Sequence, residues 1–223
     1  MSGILAIWND REEAIAEIYE RWYVSEHVPE RLGVPGFLSA RRYEVVKGSP
    51  RFFTYYELVS PEVLTSPEYL ARLASPSPLT REVMGGFRNM WRTSCSLAYR
   101  SPHAALGGCV VTARVEPPAA LDDSRLMQSA AALARDAHVL GVQVWRAVPD
   151  PAHAANPEAK LRPGGDSRIE AALVVDCMRE QAGHQLQGQV EGALRRSIDG
   201  RAAEGETSVN VGIYRLLGMW VAQ

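Results

Sequence analysis

Trp22-Tyr-Val-Ser-Glu-His-Val-Pro-Glu-Arg-Leu-Gly-Val-Pro-Gly-Phe-Leu-Ser-Ala-Arg-Arg-Tyr43 carries the chain out of a helix, through a turn and into a strand. Upstream, Ile15, Ile18, Tyr19 and Trp22 recur at the three- and four-residue spacing of an apolar helix stripe laid on a flat surface. Downstream, Pro35-Gly36 marks a turn, and Phe37 to Val46 has the aromatic and aliphatic content of a strand. Between them, Glu26, His27, Glu30 and Arg31 set titratable groups beside aromatic rings where a helix hands over to a sheet, a frequent place for chemistry.

Outward from this stretch the same alternation continues. Ile4 to Trp8 reads as a strand, and Asn9-Asp10 as the cap of a helix from about Arg11 to Glu26. After the strand Phe37 to Val46, Lys47-Gly48-Ser49-Pro50 makes a hairpin into Arg51 to Val59. Ser60-Pro61 and Ser66-Pro67 open helical turns, Thr80 to Met84 is a short helix, and Phe87 to Tyr99 is a fourth strand. Ser101 to Leu106 is a linker, after which the order repeats: strand Gly108 to Val115, helix Asp122 to His138, strands Leu140 to Val148 and Arg168 to Cys177, helix Met178 to Ile198, strand Thr207 to Trp220. The expected domains are therefore residues 1–100 and 107–223. A Pro/Gly/Ala-rich insertion over 149–166 is expected to be exposed and mobile.

With 223 residues, 46% hydrophobic and 22% charged content, and a net charge of −2, the chain can bury a real core, and it lacks the basic surplus of a nucleic-acid binder. Nucleic acid and membranes are not expected partners. No basic-then-apolar leader and no membrane-length apolar run is present, so the expected location is the cytoplasm. Two lysines against 22 arginines, with abundant alanine, fit a GC-rich bacterial gene. Cys95, Cys109 and Cys177 sit in apolar strand-like runs without ligand spacing and read as buried thiols. Phosphate-cradling glycine loops, Gly-x-Ser-x-Gly elbows and His/carboxylate metal patterns are absent, so no metal and no cofactor is expected. Haem is conceivable on the fold implied below, but no histidine stands in a context that marks an axial ligand.

His27-x-Pro29, Pro35-Gly36-Phe37 and Arg41-Arg42-Tyr43, followed by Tyr55-Tyr56-Glu57-Leu58, Ser66-Pro67-Glu68-Tyr69-Leu70 and Phe87-Arg88-Asn89, resemble the EthD-like branch of the dimeric α/β-barrel superfamily over residues 3 to 100. The resemblance implies an α+β fold of ferredoxin-like β-α-β-β-α-β units whose sheets pair face to face around a small-molecule cavity. With the repeated element order, it gives a tandem pseudo-dimer closed within one chain; closure between two chains, as a homodimer, stays open. The fold does not fix the reaction.

Of 17 aromatic residues, 14 lie in residues 1–100, which places the expected site in the first half. His27 is the candidate proton shuttle, titrating near neutrality, with Glu26 or Glu30 to orient it. Tyr43 is the second catalytic candidate. Tyr55 and Tyr56 alternate to opposite faces, as do Arg41 and Arg42, so one of each pair is expected to meet the ligand. Trp91 and Arg88 complete the expected binding set, while Trp22 and Tyr19 read as packing. The expected function is a cofactor-independent lyase or isomerase acting on a small aromatic or polyketide-like carbonyl compound. Two alternatives are a ligand-binding or stress-associated barrel without catalysis, and a cofactor-free monooxygenase.

Overall fold

The computed structural model describes residues 2–150, 156–198 and 208–223. Eight antiparallel strands close a barrel: β1 (Gly3–Arg11), β2 (Phe37–Lys47), β3 (Phe52–Leu58), β4 (Phe87–Arg100), β5 (Cys109–Val115), β6 (Val139–Ala147), β7 (Ala171–Cys177) and β8 (Val209–Val221). Around the barrel the order is β1-β3-β2-β8-β5-β7-β6-β4. The first four strands thus stand together as 4-1-3-2 and the last four repeat that order; β2 pairs β8 and β4 pairs β6 to shut the ring.

Alternation along the strands makes three cores. Leu5, Ile7, Phe52 and Tyr56 face outward beneath the helices of the first half. Val111, Ala113, Leu173 and Val175 face α5 (Asp123–Leu133) and α6 (Glu180–Ser197) in the second. Trp8, Tyr43, Phe53, Tyr55, Trp145 and Tyr214 point into the barrel and fill it. Trp8 stacks on Phe53 at 4.7 Å between centroids, and Tyr55 packs on Trp145 at 4.9 Å. An eight-stranded barrel is just wide enough for side chains to fill or for one small ligand, and here large aromatic rings take up the middle. The implied interior cavity is therefore replaced by an aromatic core, and open space lies outside the barrel: a small cavity under the first-half helices, and wider clefts on the second half, one beside His138 and Met178 and one between Leu133 and Arg196.

Two helices end where the sequence did not place them. The first continues past Glu26: α1 (Ala16–Trp22) widens into a π-helical turn, Tyr23–His27, and resumes as α2 (Val28–Leu32). Pro29 directly follows the widened turn, in which the Val28 N–H reaches back five residues to the Tyr23 carbonyl, so the ring and missing N–H of Pro29 fall where the α-helical ladder is already interrupted. Conversely, α5 stops at Leu133 rather than His138, and in the turn that follows the Asp136 carboxylate accepts from the His138 amide at 2.9 Å. The insertion also departs from expectation. In its described part Asn156, Glu158 and Arg162 are buried, packed against the first half rather than held in solvent. Residues 151–155 lie outside the described residues. All three cysteines are buried free thiols. Among the described residues no helix is long and apolar enough to cross a membrane.

Candidate functional site

His27 closes the π-helical turn, a widened turn that shifts side-chain register and recurs at functional positions. The register aims its ring inward, 6% exposed, stacked on Trp22 at 4.0 Å and edge-on to Tyr23 at 5.4 Å. Neither imidazole nitrogen has a hydrogen bond to a described residue or is sealed away as a buried orphan. Trp22 is itself fixed: its Nε1 donates to Thr80 Oγ1 at 2.9 Å, and Thr80 and Ser77 both donate to the Glu26 carboxylate. Glu26 therefore orients the ring that His27 stacks on, not His27 directly.

The cavity beside His27 is lined by Leu5, Ile7, Tyr23, Tyr69, Met84 and Phe87 on its apolar side. Arginines occupy its polar side. Arg31 forks onto Glu158 at 2.6 and 2.7 Å, and Arg92 donates to Asp150 at 2.9 Å and to the Tyr69 hydroxyl at 3.1 Å. Arg162 is held by Asp166 and also reaches Met84 Sδ at 3.6 Å. Free space, measured for the centre of a water-sized sphere, is about 30 Å3, enough for a water or two. Burial, and then the positive charges of Arg31, Arg162 and Arg42, hold the His27 pKa well below the usual histidine range. The imidazole is thus neutral at pH 7, a base rather than an acid, and the expected titration near neutrality is displaced downward.

Of the sequence candidates, the structure brings Tyr56 to His27, with ring centroids 6.3 Å apart. The Tyr56 hydroxyl is buried and unpartnered, and burial raises its pKa. The others are elsewhere. Tyr43 and Tyr55 point into the barrel, where they stack on each other at 6.2 Å. Arg41 joins Tyr55 and Glu57 at one barrel end. Arg42 turns outward but is spent on Glu20, at 2.8 Å from one oxygen, and on the faces of Tyr23 and Phe52. Trp91 packs at the other barrel end beside Arg114, and Arg88 binds Glu12 and the Gly85 carbonyl at the surface. Glu30 stays at the rim, half-buried.

Sequence reasoning put Trp22 down as packing and passed over Arg92, Tyr69, Asn156, Glu158 and Arg162. Arg92 shares its outward parity with Ile7, its β1 partner in register, and that parity was the available signal. The strap residues 158, 162 and 166 carry charges four apart, but nothing local says what they cover.

Among the described residues no group of three or more His, Cys, Asp or Glu could hold a metal ion. No protein-family model matches the chain, and no curated protein matches it. Solved structures do. An anthrone oxidase-like protein is 15% identical with a TM-score of 0.59, covering 99% of this chain and 93% of its own. A heme-binding protein from Thermus thermophilus is 13% identical with a TM-score of 0.51, covering 97% and 91%. As closed, the His27 cavity is too small for a haem, since sites for such ligands hold roughly 300–1,000 Å3 and this one about 30 Å3. His103, His138 and His184 are exposed, and His153 lies outside the described residues. What the chain shares with these proteins is a fold, which in this chain is an α+β barrel of eight antiparallel strands.

Proposed function

We propose that the protein is a cofactor-independent enzyme in which neutral His27 removes a proton from a small phenolic or enolisable carbonyl compound. The observation that carries this reading is the imidazole itself: buried, uncharged, without a hydrogen bond to a described residue, and facing arginines. A base needs such a state at pH 7, and the enolate or phenolate it creates needs positive charge and hydroxyl donors close by. Arg31, Arg92, Tyr56 and Tyr69 supply them. Returning the proton at another carbon isomerises the compound, and expelling a leaving group from the enolate makes the reaction a lyase step. Admission of a ring requires Asn156 to Arg162 to move outward, since the closed cavity holds only water-sized space.

A second reading is favoured by the likeness to the anthrone oxidase-like protein: the same deprotonation yields an electron-rich anion that O2 can oxidise. With either reading we propose that the chain is a tandem pseudo-dimer of residues 1–100 and 107–223 in the EthD-like branch of the dimeric α/β-barrel superfamily, a reading supported by the repeated strand order 4-1-3-2 in the two halves. The test incubates the protein with anthrones and hydroxylated β-keto aromatics while absorbance and O2 uptake are recorded. Turnover without O2 uptake supports the lyase or isomerase, and turnover with it supports the oxidase. In either case His27→Ala should lower the rate by ~100- to 10,000-fold with circular dichroism unchanged. Ligand binding without turnover would leave a binding barrel.

A further inference from the structure

Among the described residues five arginines are buried to 6% exposure or less: Arg31, Arg42, Arg92, Arg114 and Arg162. Four of them hold a carboxylate, on Glu158, Glu20, Asp150 and Asp166 respectively. Arg114, 2% exposed, forms no salt bridge to a described residue within 4.0 Å. Glu116 and Asp10 act on it only from farther away, and Asp10 is already taken by the Arg51 amide and the Asn89 side chain. The Arg114 side chain points into the barrel from β5, its guanidinium 5.2 Å from the centroid of Trp8 and 5.0 Å from that of Trp91. Its Nη2 donates to the Ser49 carbonyl at 3.2 Å, while Nε and Nη1 are buried without an acceptor among the described residues. The aromatic faces are not a substitute for a counter-charge, because Arg42 lies over aromatic rings at 4.2–5.0 Å and still takes Glu20. An uncompensated buried charge is among the costliest things a fold can hold.

Other donors stand unpaired on the same side of the wall. Trp8 Nε1 and the Thr112 hydroxyl are buried without partners among the described residues, and the Tyr214 hydroxyl, short of a well-formed bond, lies close enough to interact with the Arg114 guanidinium, its own proton left without an acceptor. Tyr214 leans toward Arg114 over Gly212, where a Cβ would meet its ring at 2.3 Å and its hydroxyl oxygen at 2.7 Å. The opposite end of the barrel makes the contrast. There Arg41 and Arg100 meet Glu57, and Asp176 lies close to Arg41, so two positive groups face two acidic ones.

We propose that the Arg114 end of the barrel is a binding site for a small oxyanion, a carboxylate or a phosphate, that accepts from the guanidinium, from Trp8 Nε1 and from the Tyr214 hydroxyl. The site is separate from the His27 cavity, which opens outside the barrel. Trp91, half-buried, and the exposed turn Gly48-Ser49 form its rim.

Sodium formate and inorganic phosphate, each titrated at constant ionic strength against a bulky sulfonate salt, test this by the thermal midpoint of the intact chain. A saturable rise is expected, roughly 5–10 °C when the anion stands about a hundredfold above its Kd. A response to formate alone assigns a carboxylate, a response to phosphate alone assigns a phosphate, and a response to both assigns any small oxyanion. Arg114→Met should abolish the rise, and Trp8→Phe, which keeps a ring but loses the N–H, should weaken affinity about tenfold. No saturable response to either anion overturns the proposal, as does an equal response in Arg114→Met. Should that variant fail to fold, unchanged affinity in Trp8→Phe overturns it.

Discussion

Asp176 sits near the C-terminal end of β7, 3% exposed, beside Arg41 and with the Gly107 amide donating to it at 3.4 Å. Burial dominates its environment and raises its carboxyl from 3.8 to about 6, even after Arg41 pulls the other way. The folded protein therefore holds this proton more tightly than the unfolded chain does. Its stabilising contribution is full below pH 3.8 and is lost as pH rises through about 6. Between 3.8 and about 6, at ~1.36 kcal/mol per pH unit, the ionised carboxylate costs about 3 kcal/mol at pH 7. Asp176→Asn keeps the shape and the acceptor for Gly107 while removing the charge. Urea unfolding at pH 7 should show the variant more stable by up to about 3 kcal/mol, and the gain should vanish near pH 4. A variant less stable than wild type at pH 7 would mean that Arg41 depends on this carboxylate more than the carboxylate suffers from burial, and the reasoning would fail.

Three further outcomes can be checked. The rate of the His27-dependent reaction should be flat through neutrality and fall only well below pH 6.5; the wild-type fold should likewise lose stability as pH drops below 6.5, a loss that His27→Gln removes in parallel denaturation curves. Glu158→Gln leaves Arg31 buried without its carboxylate and should cost roughly 3–5 kcal/mol in urea unfolding, with Arg31→Gln, Glu158→Gln together milder than the sum. Ser77→Ala removes the cap on the Thr80 amide of α4 (Pro78–Gly85) and a donor to Glu26, and should lower stability by about 1 kcal/mol or more while loosening Trp22, seen as a red shift in tryptophan emission.

Much of the fold was legible because its signals are local. Strand and helix order followed from periodicity and from Pro/Gly punctuation, and all eight strands lie within a few residues of their expected bounds. The helix through His27 was cut short because Pro29 reads as a stop, whereas the π-helical turn before it lets the backbone continue. Of the residues around the candidate cavity, the sequence singled out His27 and, in part, its neighbour Tyr56. Tyr55 and Tyr56, or Arg41 and Arg42, are identical as letters, and only the closing of the barrel decides which face is a packed interior and which lies under helices.

The charge partners show why the remainder could not be read. Arg31 and Glu158 are 127 positions apart, and Arg92 and Asp150 are 58 apart, so each pair exists only once the insertion folds back over the first half. Composition placed the aromatic residues in that half correctly and then misassigned their use, because strand alternation sends Phe53 and Tyr55 into the barrel and Phe52 and Tyr56 outward under the helices, Phe52 against Tyr19 and Tyr56 against His27. A filled barrel has a consequence for chemistry. Aromatic packing inside leaves His27 and its cavity to the layer between sheet and helices, covered by Asn156, Glu158 and Arg162 rather than by the ring of strands. The same packing isolates Arg114 at the barrel end from the acids that satisfy the other buried arginines. His27 and Arg114 thus lie on opposite faces of one sheet, the imidazole in the layer under the helices and the guanidinium inside the barrel.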